Sequence, residues 1–117
     1  MQTVLIVDDH AGFRSQARRL LDAAGYQVVG EAESGASAVE SALRLRPAIV
    51  VLDVQLPDFD GFEVARRLAD AGVETATVLI STRDSTAYRR RLAASPVRGF
   101  IPKSELSGAS LTELVGR

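Results

Sequence analysis

The sequence predicts an α/β domain built on a five-stranded parallel sheet with helices on both faces. Strand-like and helical segments alternate five times along the 117 residues. The strand-like segments are apolar almost throughout, which is typical of strands buried on both faces of a parallel sheet. Because crossovers between parallel strands are right-handed, this alternation leads to a doubly wound fold.

The first half of the chain predicts three strands and two helices. The strands cover 3–9, 26–32 and 47–53. The first helix ends near Gly25 and carries apolar residues at helical spacing, namely Phe13, Ala17, Leu20, Leu21 and Ala24. Ser34 is a candidate N-cap for the second helix, which extends to about Leu45.

The second half predicts three helices and two strands. The helices cover 61–72, 84–95 and 107–117, and the strands cover 75–81 and 97–103. Pro96 ends the middle helix, because proline cannot continue one. These segments use up the chain without a linker, repeat or low-complexity tract. One domain over residues 1–117 is therefore predicted.

The composition excludes several classes of protein. With 46% hydrophobic and 25% charged residues, the chain falls among ordinary globular domains. The absence of cysteine excludes disulfides and thiolate zinc sites. No apolar run is long enough to span a membrane and no secretory leader is present, so we expect a cytoplasmic location and no membrane partner. A net charge of −1 gives no support for direct nucleic-acid binding.

Ionisable residues stand at the ends of the predicted strands. Asp53 follows four apolar residues, although a buried carboxylate is costly unless it is paired, hydrogen-bonded or bound to metal. Asp8 and Asp9 end the first strand, Ser81 ends the fourth, and Lys103, the only lysine, ends the fifth. Because the carboxyl ends of parallel strands meet at one edge of a sheet, these side chains are predicted to share a pocket.

A divalent cation would explain this cluster of acids. Three carboxylates so close together repel and raise one another's pKa. Mg²⁺ prefers oxygen ligands, accepts one or two carboxylates and commonly shares a phosphate. The sequence therefore predicts Mg²⁺ as cofactor and a phosphoryl group at the same edge.

Four motifs, "VLIVDDH", "LDVQLPDFDG", "LIST" and "GFIPKS", together resemble the receiver domain of two-component response regulators. The opening "DDH…FR" and "GFIPKS" are most similar to the nitrate-regulator subfamily. The resemblance covers residues 3–115 and implies a flavodoxin-like sheet of order 2-1-3-4-5. It also implies a protein that is not an enzyme beyond its own phosphorylation and dephosphorylation.

The resemblance assigns the metal ligands and the phosphoacceptor. Asp53 would attack phosphorus and form an aspartyl phosphate. Asp9 would bind Mg²⁺ directly and Asp8 largely through water. Asp53 itself and the backbone carbonyl of Gln55 would complete the set.

The remaining roles concern the phosphoryl oxygens and the switch. Ser81 and Lys103 would each contact a phosphoryl oxygen, and Phe100 occupies the position of an aromatic switch that follows Ser81. Pro57 and Gly61 would shape the loop after strand three. Many receivers have a cis proline after the lysine, whereas here Ser104 follows Lys103 and Pro102 precedes it.

Three residues or runs also fit simpler interpretations. Phe100 fits a static core residue as well as a switch. His10 follows the acid pair and is predicted to be a first-turn residue rather than a metal ligand. Arg89–Arg91 fits a solvated helix face, with a docking surface near Phe100 as the alternative.

The implied partners are a cognate histidine kinase and either a downstream protein or a fused output domain. A homodimer through helix four, strand five and helix five is a further expectation. The segment 107–117 fits a finished short helix, so a stand-alone receiver is favoured over a domain of a longer DNA-binding regulator.

Other functions remain open from the residues alone. A pseudo-receiver would bind partners without phosphorylation. A phosphatase of the haloacid-dehalogenase type would need a second aspartate two residues after the first, where this chain has Gln55. A flavodoxin-like cofactor binder would need a small, hydroxyl-rich loop where the chain has "DDHAGFR".

Overall fold

A computed structural model describes residues 2–116, so Met1 and Arg117, the ends of the predicted domain, lie outside the described residues. The strands are β1 (Thr3–Val7), β2 (Gln27–Ala32), β3 (Ile49–Asp53), β4 (Ala76–Ser81) and β5 (Gly99–Pro102). The helices are α1 (Ala11–Ala23), α2 (Gly35–Leu45), α3 (Gly61–Asp70), α4 (Arg89–Ala93) and α5 (Gly108–Val115). Short 3-10 turns cover Ser85–Tyr88 and Lys103–Glu105.

The five strands form one parallel sheet of order β2-β1-β3-β4-β5, which confirms the predicted architecture. Asp53 pairs with Ile80 in the next strand, and Ser81 pairs with Pro102 in the strand after that. This register aligns the carboxyl ends of the central strands. The residues that follow these ends therefore meet at one edge of the sheet.

Successive strand residues contribute to two separate cores, one on each face of the sheet. Leu5, Val7, Val50, Leu52 and Leu79 pack on the face that α2 and α3 cover. Their neighbours along the strands pack with α1 and α5 residues on the other face, and they are Val4, Ile6, Ile49, Val51, Val78 and Ile80. All of these strand residues are fully buried, which explains why the strand segments are apolar almost throughout.

Local hydrogen bonds set where the helices begin. The Ser34 side chain accepts a hydrogen bond from the Ser37 N–H, and the Ser37 side chain accepts one from the Ser34 N–H, so the predicted N-cap of α2 is confirmed as a capping box. Asp60 accepts from the Glu63 N–H at 2.9 Å and begins α3. Asp58 reaches from the loop before α3 to accept from the first amides of α2 at 2.7 and 2.9 Å.

Three details of the prediction are wrong. The segment 84–95 is not one helix, because the Asp84 side chain caps a 3-10 turn through the Thr86 N–H and the α-helix starts only at Arg89. Asp8 and Asp9 follow β1 instead of ending it. Lys103 lies one residue beyond β5, where it begins a 3-10 turn.

Candidate functional site

A pocket of about 190 Å³ opens at the carboxyl edge of the sheet. Its lining residues are Asp9, His10, Asp53, Gln55, Leu56, Pro57, Thr82 and Lys103. They come from the last residue of β3 and from the segments after β1, β3, β4 and β5, as the strand register requires. The structure thus brings together most of the residues that the sequence predicted to meet.

Asp53 lies in the pocket with only 4% of its surface exposed. One carboxylate oxygen accepts a hydrogen bond from the Gln55 N–H at 3.2 Å, and the other accepts from Lys103 Nζ at 3.1 Å. Burial raises the pKa of Asp53 from 3.8 to about 6, and the nearby charge of Asp8 adds to the rise. The contacts with Lys103 and Gln55 oppose that rise but do not cancel it.

Lys103 connects the two buried aspartates. Its Nζ lies 2.5 Å from Asp8 Oδ2 and 3.1 Å from Asp53 Oδ2. The ammonium also stands over the ring of Phe13, 4.7 Å from the centroid. Burial lowers the pKa of Lys103, but the contacts with Asp8 and Asp53 outweigh it, so that the net pKa is raised. The residue is therefore a fixed positive charge beside Asp53.

The acids have the donor chemistry that Mg²⁺ requires. Asp8 is fully buried, and its Oδ2 has no aligned hydrogen bond although Lys103 Nζ lies nearby. One ligand atom from each of Asp8, Asp9, His10 and Asp53 lies within 4.8 Å of the others. A buried carboxylate oxygen without an aligned donor, beside two further carboxylates, fits a hard cation.

The loop after β3 is held close to Asp53 by Gly61. The Gly61 N–H donates to the Val54 carbonyl at 2.8 Å. A Cβ at this position would lie 2.5 Å from the Asp53 carbonyl oxygen, so only glycine permits this approach. Gln55 lines the pocket, and the role of its carbonyl toward a metal stays a prediction. The Lys103–Ser104 peptide bond is trans, as are all peptide bonds within residues 2–116.

Ser81 is buried beside the pocket but does not line it. It is 1% exposed and is not among the residues that line the pocket. Its Oγ accepts from the Arg83 N–H at 3.1 Å and lies 3.3 Å from Tyr88 Oη. Phe100 is partly buried and packs its ring against that of Tyr88, with centroids 5.9 Å apart.

Three residues near the site are not among those that the sequence predicts. Tyr88 was assigned only to a helix, and nothing in its neighbourhood of the sequence marks it as a partner of Ser81. Thr82 lines the pocket although only Ser81 was singled out. Arg14 donates to the Asp8 carbonyl oxygen at 2.5 Å and is itself bound by Glu31 at 3.0 Å.

Comparison with known proteins identifies the family of the chain. Residues 4–115 match the family model described as the response regulator receiver domain. The chain belongs to this family. The receiver domain is 35% identical to the response regulator GacA of Pseudomonas protegens over 98% of this chain and 53% of that protein. It is 34% identical to BvgA of Bordetella pertussis over 87% of this chain and 49% of that protein.

A solved structure agrees with the family assignment. The signal receiver domain of NarL from Mycobacterium tuberculosis superposes with a TM-score of 0.88 at 33% identity, covering 99% of this chain and 98% of that one. The receiver domain spans about half the length of GacA and BvgA. None of the helices in residues 2–116 is long and apolar enough to cross a membrane.

The family settles the class of function. The chain is a receiver domain of two-component response regulators, a family of signalling modules that are generally not catalytic enzymes. The phosphoacceptor role fits this family, whereas a phosphatase or a cofactor binder is not favoured. Receiver domains bind Mg²⁺ at the acidic pocket, and response regulators act with histidine kinases and output domains.

Proposed function

We propose that Asp53 is the phosphoacceptor of this receiver domain and that a histidine kinase is its donor. The observation that carries the proposal is the buried Asp53 carboxylate held between the Lys103 ammonium and the Gln55 amide. A carboxylate oxygen would attack the phosphorus of a phosphohistidine, the P–N bond would break, and the imidazole would leave with its electron pair.

Each neighbouring residue has a defined task in this step. Asp8, Asp9, Asp53 and the Gln55 carbonyl would hold Mg²⁺, which when bound neutralises charge on the phosphoryl oxygens. Lys103 places a second positive charge where those oxygens would lie, and it orients the carboxylate before the donor arrives.

Dephosphorylation uses the same pocket. Water would attack phosphorus, the P–O bond to Asp53 would break, and inorganic phosphate would leave with the aspartate regenerated. Gln55 lines the pocket and Arg83 lies two residues after Ser81, and we propose that both influence this rate. A homodimer through α4, β5 and α5 and a cytoplasmic location remain predictions that family membership supports.

Intact mass spectrometry tests the proposal. The purified chain is incubated with Mg²⁺ and acetyl phosphate, beside Asp53→Asn and an EDTA control. We expect one added phosphoryl group that is absent from the variant and from the control. A kinase-borne phosphohistidine is the second donor, and no adduct from either donor would identify a pseudo-receiver that binds partners without phosphorylation.

Lys103→Ala separates phosphorylation from its consequence. We expect the variant still to accept a phosphoryl group, because Asp53 and the acidic cluster are intact. The structural change that follows should be smaller, since the phosphoryl oxygens lose a cationic partner. Amide NMR shifts of the phosphorylated variant and wild type measure this difference.

A further inference from the structure

Tyr88 is the side-chain partner of the Ser81 hydroxyl. The two hydroxyl oxygens lie 3.3 Å apart, and both residues are buried, with 1% of Ser81 and 8% of Tyr88 exposed. Within residues 2–116, Tyr88 Oη has no other side-chain or backbone partner. This contact gives the buried Tyr88 hydroxyl a hydrogen-bond partner, and the partner, Ser81, is the last residue of β4.

The Tyr88 ring is held in place by aromatic neighbours. Its centroid lies 5.7 Å from that of Phe62 in α3 and 5.9 Å from that of Phe100 in β5. Both pairs are tilted, an arrangement that aromatic rings favour. Arg91 packs on the same cluster: its guanidinium stands 4.1 Å over the Phe62 ring and contacts Asp60 at 2.6 Å.

We propose that Tyr88 is a positioning residue that keeps the Ser81 hydroxyl away from the phosphoryl pocket until Asp53 is phosphorylated. The inference rests on the proposed function and adds a residue that the sequence motifs do not contain. Phe100, at the position of the aromatic switch, has no hydroxyl and cannot hydrogen-bond Ser81. The hydroxyl that contacts Ser81 belongs to Tyr88.

The position of the Ser81 hydroxyl carries the coupling. Ser81 has a single proton, and its oxygen already accepts from the Arg83 N–H. When Ser81 turns to a phosphoryl oxygen, it leaves Tyr88. The Tyr88 hydroxyl then lacks its buried partner and must move toward water. Because the ring packs against Phe62 and Phe100, this movement reaches α3 and β5 together.

The chain offers a direct spectroscopic test, because it contains two tyrosines and no tryptophan. In Tyr26→Phe, Tyr88 is the only tyrosine, and in Tyr88→Phe, Tyr26 is the only one. We expect beryllofluoride with Mg²⁺, a phosphoryl analogue, to change the tyrosine fluorescence and near-ultraviolet circular dichroism of Tyr26→Phe. The spectrum of Tyr88→Phe should stay unchanged. Adding Ser81→Ala to Tyr26→Phe should shift the signal without any analogue.

The affinity for beryllofluoride provides a second test. Removing a hydrogen bond made only before activation should tighten beryllofluoride binding by Tyr88→Phe about two- to tenfold, the factor that one intramolecular hydrogen bond supplies. Tyr26→Phe is the matched control, since its hydroxyl contacts Thr112 at 2.5 Å, away from the pocket. Its affinity should equal that of wild type.

The outcomes separate the inference from the proposed function. Fluorine NMR on the same samples shows whether the analogue is bound. A bound analogue with an unchanged Tyr88 spectrum, or with equal or weaker binding by Tyr88→Phe, overturns the inference and leaves the proposed function standing. An analogue that does not bind to wild type contradicts both.

Discussion

Replacing Asp53 by asparagine should stabilise the metal-free receiver domain at neutral pH. The folded chain buries Asp53 beside Asp8, and its pKa rises from 3.8 to about 6. One pKa unit corresponds to about 1.4 kcal/mol, so holding this carboxylate ionised costs the folded state up to about 3 kcal/mol. Asparagine removes the charge, and its amide oxygen can still accept from the Gln55 N–H.

The pH dependence has a defined sign. Below pH 3.8 the carboxyl is protonated in the folded and the unfolded chain, so wild type and Asp53→Asn should differ little. As the pH rises through about 6, the folded wild type must hold the charge, and its free energy of unfolding falls relative to the variant. The advantage of Asp53→Asn should therefore appear between these two values and stay constant above them.

Urea unfolding in EDTA, followed by far-ultraviolet circular dichroism across this pH range, measures the difference. Asp58→Asn is the matched control, because the Ala36 and Gly35 amides lower the pKa of that carboxyl and neutralising it should reduce stability. Mg²⁺ at a hundredfold excess over its Kd should restore about 2.7 kcal/mol to wild type and nearly remove the difference. A variant no more stable than wild type at neutral pH, or a difference independent of pH, would refute the reasoning.

Two further predictions concern the framework of the pocket. Gly61→Ala should lower the free energy of unfolding by about 1–3 kcal/mol, because its Cβ would meet the Asp53 carbonyl, whereas Gly12→Ala has open space and should stabilise α1 by about 0.5–1 kcal/mol. Urea unfolding measures both. Arg14→Gln should weaken Mg²⁺ binding several-fold in calorimetry, because it removes the hydrogen bond to the Asp8 carbonyl. Arg18 also contacts Glu31 but does not reach Asp8, so Arg18→Gln should leave Mg²⁺ binding unchanged. Equal losses in the two arginine variants would contradict a specific role for Arg14.

The sheet was predictable from the sequence because each strand shows the same local pattern, a short apolar run. The inner strands are apolar at most positions because both of their faces are buried, and these apolar runs alternate with helical patterns along the chain. Ser34 was predictable for the same reason, because an N-cap is satisfied within one helical turn. The family motifs then supplied the strand order, which residue patterns alone do not give.

The segment after β4 was less predictable because its structure depends on distant contacts. Arg89–Ala93 forms a helix, but the preceding Ser85–Tyr88 is a 3-10 turn. Tyr88 turns inward to reach Ser81 and two rings that are remote in sequence. Helical periodicity in a short window cannot register such contacts.

The site also has a part that local motifs predict and a part that depends on distant contacts. The charges of Asp8, Asp53 and Lys103 converge because the strands that precede them share one edge, so motifs at strand ends are enough to locate them. One ammonium faces two buried carboxylates there, so Lys103 does not cancel the rise in the pKa of Asp53 that burial and the charge of Asp8 cause. The direction of the Ser81 hydroxyl is instead set by Tyr88, on a turn whose position depends on the aromatic rings of α3 and β5. The position of the pocket residues therefore depends on the order of the strands. The position of the Ser81 hydroxyl depends on the turn after β4, which packs against the sheet.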